Sequence, residues 1–290
     1  MTTTPSSFPT LAVTGATGQL GRLLVAQLEG RAPDASLVAL VRTPAKAADL
    51  GIPAREADYT RPETLAAALQ GVEKLMMISS SEIGQRVAQH RNLVDAAKRA
   101  GVKHIVYTSI LHADTSTIDL AQEHRETEAM IEASGIAYTF LRNGWYTENY
   151  VGALAGAVAA GAVVSSAGEG RISTASRADF AAAAVAVLTS PGHENRVYEL
   201  AGDHGWTMSE LAGEVARVSG KAIVFRPLSE GDYAATLAGF GLPEVLAKGI
   251  ASWDYQASKG ALFDDGRKLS ALIGRPTTTL AASVKLALAG

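Results

Sequence analysis

The sequence predicts an α/β fold in which a doubly wound parallel sheet is followed by a smaller C-terminal α/β lobe. Between Leu11 and Gly144, short β-branched runs alternate with amphipathic stretches, which is the pattern of successive β-α-β units. Three glycines, Gly15, Gly18 and Gly21, directly follow the first of these runs and open a helical pattern. A strand, a glycine-rich turn and a helix in this order are typical of the Rossmann fold.

The first half of the chain predicts six strands, at residues 11–14, 37–41, 55–57, 74–78, 104–108 and 138–141. The helices predicted between them cover residues 19–28, 62–69, 85–99 and 120–133, and most of them end close to a glycine that suits a left-handed C-cap. Right-handed crossovers would bring the carboxyl ends of the strands to one edge of the sheet. Ligands bind along that edge, so candidate site residues are expected just after each strand.

The second half is less regular, and it predicts strands at 171–176, 197–201 and 222–225 and helices at 180–188 and 280–288. Thr207 and Glu210 form a capping-box pattern that starts a helix ending at Gly220, and Ser229 is predicted to cap another helix. The apolar stretch 151–164 is rich in alanine and glycine and is shorter than the ~20 residues that a membrane span needs. We therefore interpret this stretch as a packed helix and loop.

Composition and charge exclude several classes of protein. A formal net charge of −3 with scattered Lys and Arg gives no basic stripe, so no nucleic-acid partner is expected. The absence of cysteine excludes disulfides and thiolate metal ligands and fits a reducing cytoplasm. Residues 1–7 predict an irregular lead-in without the features of a signal peptide, and His90, His104 and His112 lack the spacing of metal ligands. We expect a soluble cytoplasmic protein with no metal and no membrane span, and the sequence leaves a homodimer open.

The glycine turn predicts a dinucleotide site, because glycines let the backbone approach a pyrophosphate and a helix N-terminus presents free N–H groups to it. The alternative is a tight connection between strand and helix that binds nothing. The position of the turn between the first strand and the first helix, with a second β-α-β unit downstream, favours the dinucleotide. The residues predicted to bind it are Gly15, Thr17, Gly18, Gln19, Leu20 and Gly21.

The end of the second strand indicates which dinucleotide binds. Folds specific for NAD usually carry an Asp or Glu about 20 residues after the glycines, where this chain has Arg42. A guanidinium binds a 2′-phosphate through paired, charge-assisted hydrogen bonds, and Lys46 lies close enough in sequence to assist. The alternative is a solvated arginine at a strand end. The sequence therefore predicts NADPH as the cofactor.

Further cofactor contacts are predicted after the next three strands. A side-chain acceptor at Asp58 suits the adenine amine, and the alternative for this residue is a helix cap or a turn. The serines after the fourth strand either line the nicotinamide ribose or begin a loop. The residues predicted to bind here are Asp58, Tyr59, Ile78, Ser79, Ser80 and Thr108.

The glycine motif, Arg42, Asp58 and the stretches 107–109 and 141–146 together resemble the NmrA-like atypical short-chain dehydrogenase/reductases. Within that group, the chain is similar to the bacterial NAD(P)H:quinone oxidoreductases of type 2 at residues 71–74, 78–82, 111–116, 141–149, 263–265 and 272–279. Triphenylmethane reductase is a sister of these enzymes. The resemblance covers nearly the whole chain and implies an NADPH-dependent reductase that acts on a quinone and uses no flavin.

One departure from the wider superfamily bears on the acceptor. Active short-chain dehydrogenases carry a Tyr-x-x-x-Lys pair, and counting back from Glu128 places Leu120 and His124 at these positions. Reduction of a simple ketone gives an alkoxide about as basic as hydroxide, so it needs a proton donor. Hydride addition to a quinone gives a phenolate-like anion with a pKa of about 10, which hydrogen bonds and solvent stabilise. His124 is a candidate donor, although a place on a polar helix face beside Glu123 and Glu126 is the favoured interpretation.

Catalytic residues are predicted just after the sixth strand. Asn143 suits a hydrogen bond to the nicotinamide amide or to a quinone oxygen, and the alternative is a turn residue before Gly144. Trp145 and Tyr146 offer a flat wall for an aromatic acceptor, and the alternative is packing at the junction between the two lobes.

The sequence thus predicts hydride transfer from NADPH directly to a quinone in one two-electron step that gives the hydroquinone. Two alternatives stay open: a reductase of another electrophilic aromatic, such as a triphenylmethane dye, and a redox sensor that binds NADP(H) and a protein partner without turnover. Residues 1–145 are predicted to form the NADP-binding Rossmann domain. Residues 146–290 are predicted to form mostly a substrate lobe, with a segment at about 172–202 that returns to the first domain.

Overall fold

The structure, a computed structural model, describes residues 10–32 and 35–289. The lead-in predicted for residues 1–7 lies outside these ranges. The strands, in chain order, are β1 Thr10–Thr14, β2 Ser36–Val41, β3 Ala54–Glu56, β4 Lys74–Met77, β5 His104–Ile110, β6 Ala137–Asn143, β7 Ala162–Ser165, β8 Arg196–Leu200 and β9 Val224–Pro227.

Twelve α-helices are found in the described ranges. They are α1 Gln19–Arg31, α2 Pro62–Ala68, α3 Arg86–Ala100, α4 Leu120–Ser134, α5 Glu148–Val151, α6 Leu154–Ala160, α7 Arg177–Thr189, α8 Met208–Ser219, α9 Glu230–Gly239, α10 Glu244–Ala257, α11 Lys268–Ile273 and α12 Leu280–Leu288. A 3₁₀ helix covers Pro44–Leu50. Among these described helices, none combines the length and the apolar composition that crossing a bilayer requires.

The larger sheet has seven strands in the order β3-β2-β1-β4-β5-β6-β8, and its pairs from β3 through β6 are parallel. All seven residues of β5 are buried, as expected for a central strand of a parallel sheet that is covered on both faces. The strand order reverses direction at β1, whose neighbours are β2 and β4. In sheets of this kind, ligands bind beyond the carboxyl ends of the strands at such a reversal. The predicted doubly wound α/β fold is confirmed.

The chain divides into two compact units. Of the described residues, unit 1 contains those up to Asp114 together with Leu120–Asn143 and Phe180–Tyr198, and unit 2 contains Thr115–Asp119, Gly144–Asp179 and those from Glu199 onward. Unit 1 contains six strands of the larger sheet and the start of β8. Unit 2 contains the parallel pair of β7 with β9 and the helices α8 to α12. The functional division at residue 145 stays a prediction.

Two predictions in the second half are wrong. No strand forms at 171–176, where Ile172 and Ala175 make only isolated bridges, to Trp206 and Tyr146 respectively. The interval 151–164 does not end in a loop, because β7 begins at Ala162 and pairs with β9. The predicted capping box at α8 is confirmed, and Ser229 caps α9 by accepting a hydrogen bond from the Asp232 N–H.

Candidate cofactor and acceptor sites

The glycine turn after β1 has the conformation and the close packing that glycine permits. Gly15 has φ +59°, in the left-handed region, and the Gly18 N–H donates a 2.9 Å hydrogen bond to the Gly15 carbonyl oxygen. A Cβ added at Gly21 would overlap that carbonyl oxygen and would lie 2.7 Å from the Cα of Ala16. The first turn of α1 therefore packs directly against the backbone of the loop, at positions where a larger residue does not fit.

The N-terminus of α1 is open to an anion. Its N-cap is Gly18, and within the described ranges no side chain caps this end of the helix. The first backbone N–H groups of a helix have no partner inside the helix and carry a partial positive charge. Gln19 is exposed beside them, whereas the Leu20 side chain is buried, so Leu20 can contribute only its backbone. These features fit the pyrophosphate of a dinucleotide.

Two threonine hydroxyls join the ends of the central strands at the point where the strand order reverses. The Thr14 hydroxyl accepts a 2.9 Å hydrogen bond from the Ile78 N–H and donates to the Met76 carbonyl oxygen. The Thr108 hydroxyl accepts a 2.8 Å hydrogen bond from the Ser79 N–H. The structure thus brings the carboxyl ends of β1, β4 and β5 together. This agrees with the prediction that the residues just after the strands meet at one edge of the sheet.

Arg42 lies directly after β2 and is exposed, and its guanidinium forms an ion pair. Its Nη1 lies 2.8 Å from the Oε1 of Glu82, which belongs to the loop after β4. Lys46 is exposed in the 3₁₀ helix that follows Arg42, and its N–H donates to the Thr43 carbonyl oxygen. Sequence reasoning missed Glu82 as a partner of Arg42, because forty positions separate the two residues.

Asp58 forms a turn after β3. Its Oδ1 accepts hydrogen bonds of 2.9 Å from the Thr60 N–H and 2.8 Å from the Thr60 hydroxyl. Burial raises the pKa of this carboxyl, but the hydrogen bonds from Thr60 and the charges of Arg42 and Arg61 outweigh burial and hold the pKa below its usual value. The N-cap of α2 is Arg61, so the cap interpretation of Asp58 is wrong and the turn interpretation is confirmed. An adenine contact by Asp58 stays a prediction.

Tyr59 and His90 lie beside each other behind the loop after β4. The Tyr59 carbonyl oxygen accepts a 2.8 Å hydrogen bond from the Asn92 side chain, and the Tyr59 ring meets the His90 ring edge to face at 6.2 Å. The Nε2 of His90 accepts from the Ser80 N–H at 3.0 Å, so its Nδ1 carries the proton and donates to the Thr127 hydroxyl at 2.9 Å. His90 thereby fixes the loop after β4 through the backbone of Ser80, a role that no spacing in the sequence indicates.

Asn143 is the last residue of β6 and is buried. Its backbone carbonyl oxygen accepts a 2.9 Å hydrogen bond from the Leu111 N–H. Within the part of the chain that the structure describes, its side-chain Oδ1 is buried without a hydrogen-bond partner. A buried acceptor without a partner is costly, so a donor such as a carboxamide NH₂ would satisfy it.

His124 does not lie on the polar helix face predicted for it. It is buried in α4, and its Nδ1 shares a 2.7 Å hydrogen bond with the Tyr107 hydroxyl of β5. Burial, and then the charges of Arg86 and His90, hold the pKa of His124 well below its usual value. The ring is therefore neutral at pH 7, which weakens its candidacy as a proton donor.

Trp145 and Tyr146 belong to unit 2, where both half-buried rings have partners. Trp145 meets Trp253 edge to face at 5.8 Å, and the indole N–H of Trp253 donates to Asp119 at 2.7 Å. The guanidinium of Arg177 lies 4.5 Å from the centre of the Tyr146 ring. These contacts fix the orientation of both rings, which is what a wall for a flat acceptor requires. Across the described residues, no group of His, Cys, Asp or Glu side chains has the arrangement of a metal site.

Comparisons with known proteins identify the family of this chain. A family model described as NAD(P)H-binding matches residues 15–191. Quinone oxidoreductase 2 of Escherichia coli (strain K12) is 56% identical over 277 residues, which cover 94% of this chain and 97% of that protein.

Two solved structures extend the comparison. The crystal structure of the NADPH-dependent quinone oxidoreductase of Escherichia coli complexed with NADPH matches with a TM-score of 0.93 and 55% identity, covering 96% of this chain and 99% of that chain. The triphenylmethane reductase of Citrobacter sp. complexed with NADP(H) matches with a TM-score of 0.93 and 41% identity, covering 96% of this chain and 100% of the other. The resemblance drawn from the sequence is confirmed.

Proposed function

This chain belongs to the NAD(P)H-binding family, and from that membership we propose that it is an NADPH-dependent reductase that transfers a hydride directly to a quinone. The observation that carries the proposal is the 56% identity, over nearly the full length of both chains, to Quinone oxidoreductase 2 of Escherichia coli. The open N-terminus of α1 and the arginine after β2 support the same cofactor. We place the reaction in the cytoplasm, which the absence of cysteine supports, and a homodimer stays a prediction.

The residues of unit 1 fit NADPH from one end to the other. The backbone N–H groups of the first turn of α1 would hold the pyrophosphate, and Arg42 with Lys46 would hold the 2′-phosphate. Asn143 would accept a hydrogen bond from the nicotinamide carboxamide through its unpartnered Oδ1. NADPH, when bound, supplies the hydride.

Reduction of a quinone needs the hydride and one proton, and the hydroquinone takes up both. The anion formed by hydride addition is phenolate-like, with a pKa of about 10, so water can protonate it. The protein needs only to orient the acceptor and to donate hydrogen bonds to the developing charge. This modest requirement is consistent with the composition of α4, which carries Leu120 and His124 where active short-chain dehydrogenases carry the Tyr and Lys of their Tyr-x-x-x-Lys pair. Trp145 and Tyr146 are the proposed wall for the acceptor ring.

The first prediction concerns Arg42. The purified protein, with no flavin added, should oxidise NADPH in the presence of a benzoquinone or naphthoquinone and form one hydroquinone per NADPH. Arg42→Ala should raise the KM for NADPH about ten- to a hundredfold, because a hydrogen bond to a charged group contributes about 1.5–3 kcal/mol. The KM for NADH should stay within about twofold of the wild-type value, since NADH has no 2′-phosphate for Arg42 to bind.

Arg217→Ala is the matched control, because it removes one exposed, ion-paired arginine of unit 2. It should leave both KM values unchanged. An equal rise in KM for both cofactors in Arg42→Ala would contradict the role of Arg42. A protein that binds NADPH but oxidises it with none of the acceptors would favour the sensor interpretation.

The likeness to the Citrobacter enzyme favours a second acceptor class, the triphenylmethane dyes. Both acceptors are flat and electrophilic, and neither demands a strong acid in the site. The ratio of kcat/KM for a naphthoquinone to that for a cationic triphenylmethane dye separates the two functions. A ratio above one supports quinone reduction, and a ratio well below one supports the dye.

A further inference from the structure

The guanidinium predicted to hold the 2′-phosphate already has an anionic partner within unit 1. The Nη1 of Arg42 lies 2.8 Å from the Oε1 of Glu82, and the two side chains are 70% and 42% exposed. Arg42 follows β2 and Glu82 follows β4, so the pair joins two loops at the carboxyl edge of the sheet. A carboxylate thus occupies a donor that a phosphate would use.

The Glu82 carboxylate is held in place from its own side. Its Oε2 accepts a 2.7 Å hydrogen bond from the Nε2 of Gln89, a buried residue of α3. The Glu82 N–H donates to the Ser80 hydroxyl at 3.2 Å, and this hydroxyl donates to the Oε1 of Gln89 at 2.5 Å. Both carboxylate oxygens therefore have partners, and the pair with Arg42 is more ordered than an isolated surface ion pair.

We propose that Glu82 sets the preference of this protein between NADPH and NADH by competing with the 2′-phosphate for Arg42. The inference rests on the proposed cofactor site. NADPH must displace the Glu82 carboxylate from Arg42 or bind beside it at the cost of repulsion between two anions. NADH carries no 2′-phosphate and leaves the Arg42–Glu82 pair intact. Glu82 therefore weakens the binding of NADPH selectively and narrows the preference that Arg42 provides.

The opposite geometry makes the proposal falsifiable. A guanidinium has five N–H donors, so Arg42 is able to serve a carboxylate and a phosphate at the same time. In that arrangement Glu82 would orient Arg42 for the phosphate, and its loss would weaken NADPH binding. The direction of the change in affinity distinguishes competition from support.

The second prediction follows from competition. Glu82→Gln keeps the size of the side chain and removes its charge, so the Kd for NADPH should fall about two- to fivefold, the range that an exposed ion pair contributes. The Kd for NADH should stay unchanged. Both values come from titrations by isothermal calorimetry at low ionic strength, without an acceptor. In an Arg42→Ala background, the selective effect of Glu82→Gln should be smaller, because the guanidinium for which both anions compete is gone and only the repulsion between them remains.

Glu244→Gln is the matched control. It removes one exposed carboxylate that pairs with Lys248 at 2.7 Å in unit 2, and it changes the net charge by the same amount. An unchanged or higher Kd for NADPH in Glu82→Gln, or an equal fall in Kd for NADH, overturns the proposal. The titration contains no quinone, so its result does not depend on whether the protein reduces quinones. The proposal on Glu82 and the proposal of quinone reduction are therefore tested independently.

Discussion

At the scale of single residues, Gly21 shows how closely the cofactor loop is built. It lies in α1, yet its Cα faces the backbone of Gly15 and Ala16 at a distance that leaves no room for a methyl group. The neighbouring atoms are main-chain atoms of a tight turn, and they cannot move aside as the end of a flexible side chain can. The shape of the proposed pyrophosphate site therefore depends on the absence of one carbon atom.

The third prediction tests this packing. Gly21→Ala should lower the free energy of unfolding by about 1–3 kcal/mol, the usual cost of overpacking, despite the better helix propensity of alanine. It should also raise the Kd for NADPH, because the loop must shift to accept the methyl group. Denaturant unfolding and calorimetric titration measure the two effects.

Gly30→Ala is the matched control in the same helix. A Cβ at Gly30 meets no atom within 4 Å, so the substitution should stabilise α1 by up to about 1 kcal/mol and leave NADPH binding unchanged. Equal stability of Gly21→Ala and the wild type would show that the loop is not tightly packed.

Single residues also show where sequence reasoning stops. The glycines and Arg42 follow predicted strands, so their position at the sheet edge follows from topology. Glu82 and the hydrogen bond between Tyr107 and His124 depend on side chains that meet across different elements. Hydropathy pattern indicates which face of an element is buried, but it does not pair one polar side chain with another. The polar helix face predicted for His124 is therefore wrong.

At the scale of elements, the helix start at Thr207 follows a local rule, and the predicted capping box is confirmed. The Thr207 hydroxyl accepts from the Glu210 N–H at 3.2 Å, and the Glu210 carboxylate accepts from the Thr207 N–H at 2.7 Å. Each side chain satisfies a backbone donor that the helix leaves open. The signal lies within four consecutive residues, which is why sequence alone sufficed.

The fourth prediction concerns this cap. Thr207→Ala should lower the free energy of unfolding by about 1 kcal/mol, because one N–H at the start of α8 loses its acceptor. Thr207→Ser keeps the hydroxyl and should cost no more than a few tenths of a kcal/mol. Urea unfolding measures both variants, and the cap contributes nothing to stability if Thr207→Ala unfolds at the wild-type midpoint.

The stretch 171–176 shows why a strand predicted for unit 2 does not form. Ile172 exchanges hydrogen bonds with Trp206, but the Ser173 N–H donates to Leu262 and the Ala175 N–H to Trp145. Each residue is extended beside a different segment, so no ladder forms. Alternating hydropathy detects an extended chain with one buried face, but it does not reveal whether a single strand lies beside it.

At the scale of the whole molecule, the regular alternation of strands and helices makes the fold of unit 1 predictable from sequence.

Unit 1 also contains three buried histidines, His90, His104 and His124. Burial, and then the charge of Arg86, lower the pKa of His90 to about 3, and burial lowers the pKa of His104 and His124 as well. In the unfolded chain these rings regain a pKa of about 6.5. Below pH 6.5 the unfolded chain therefore binds more protons than the folded protein.

The fifth prediction is a loss of stability in mild acid. Each histidine that stays neutral in the fold lowers the free energy of unfolding by up to about 1.4 kcal/mol per pH unit as the pH falls from 6.5 towards its folded-state pKa. Above pH 7 the contribution is absent, because both states are neutral. Urea unfolding at pH 7.5, 6.5, 5.5 and 5.0 should show this slope.

His90→Gln removes one of these rings and should reduce the slope between pH 6.5 and 5 by about 1 kcal/mol per pH unit. The exposed His204, replaced by Gln, is the matched control, since an exposed ring stays hydrated in both states. An unchanged slope in His90→Gln would mean that another group takes up the proton.

The discontinuous make-up of unit 1 has a consequence for synthesis on the ribosome. Its third stretch, Phe180–Tyr198, leaves the ribosome after the intervening residues 144–179 of unit 2. At a translation rate of about 5–20 residues per second, roughly 3–11 s separate the emergence of Asn143 from that of Tyr198. During this interval β6 lacks β8, its neighbour in the finished sheet, and its unpaired edge exposes the nascent chain to pairing with other chains.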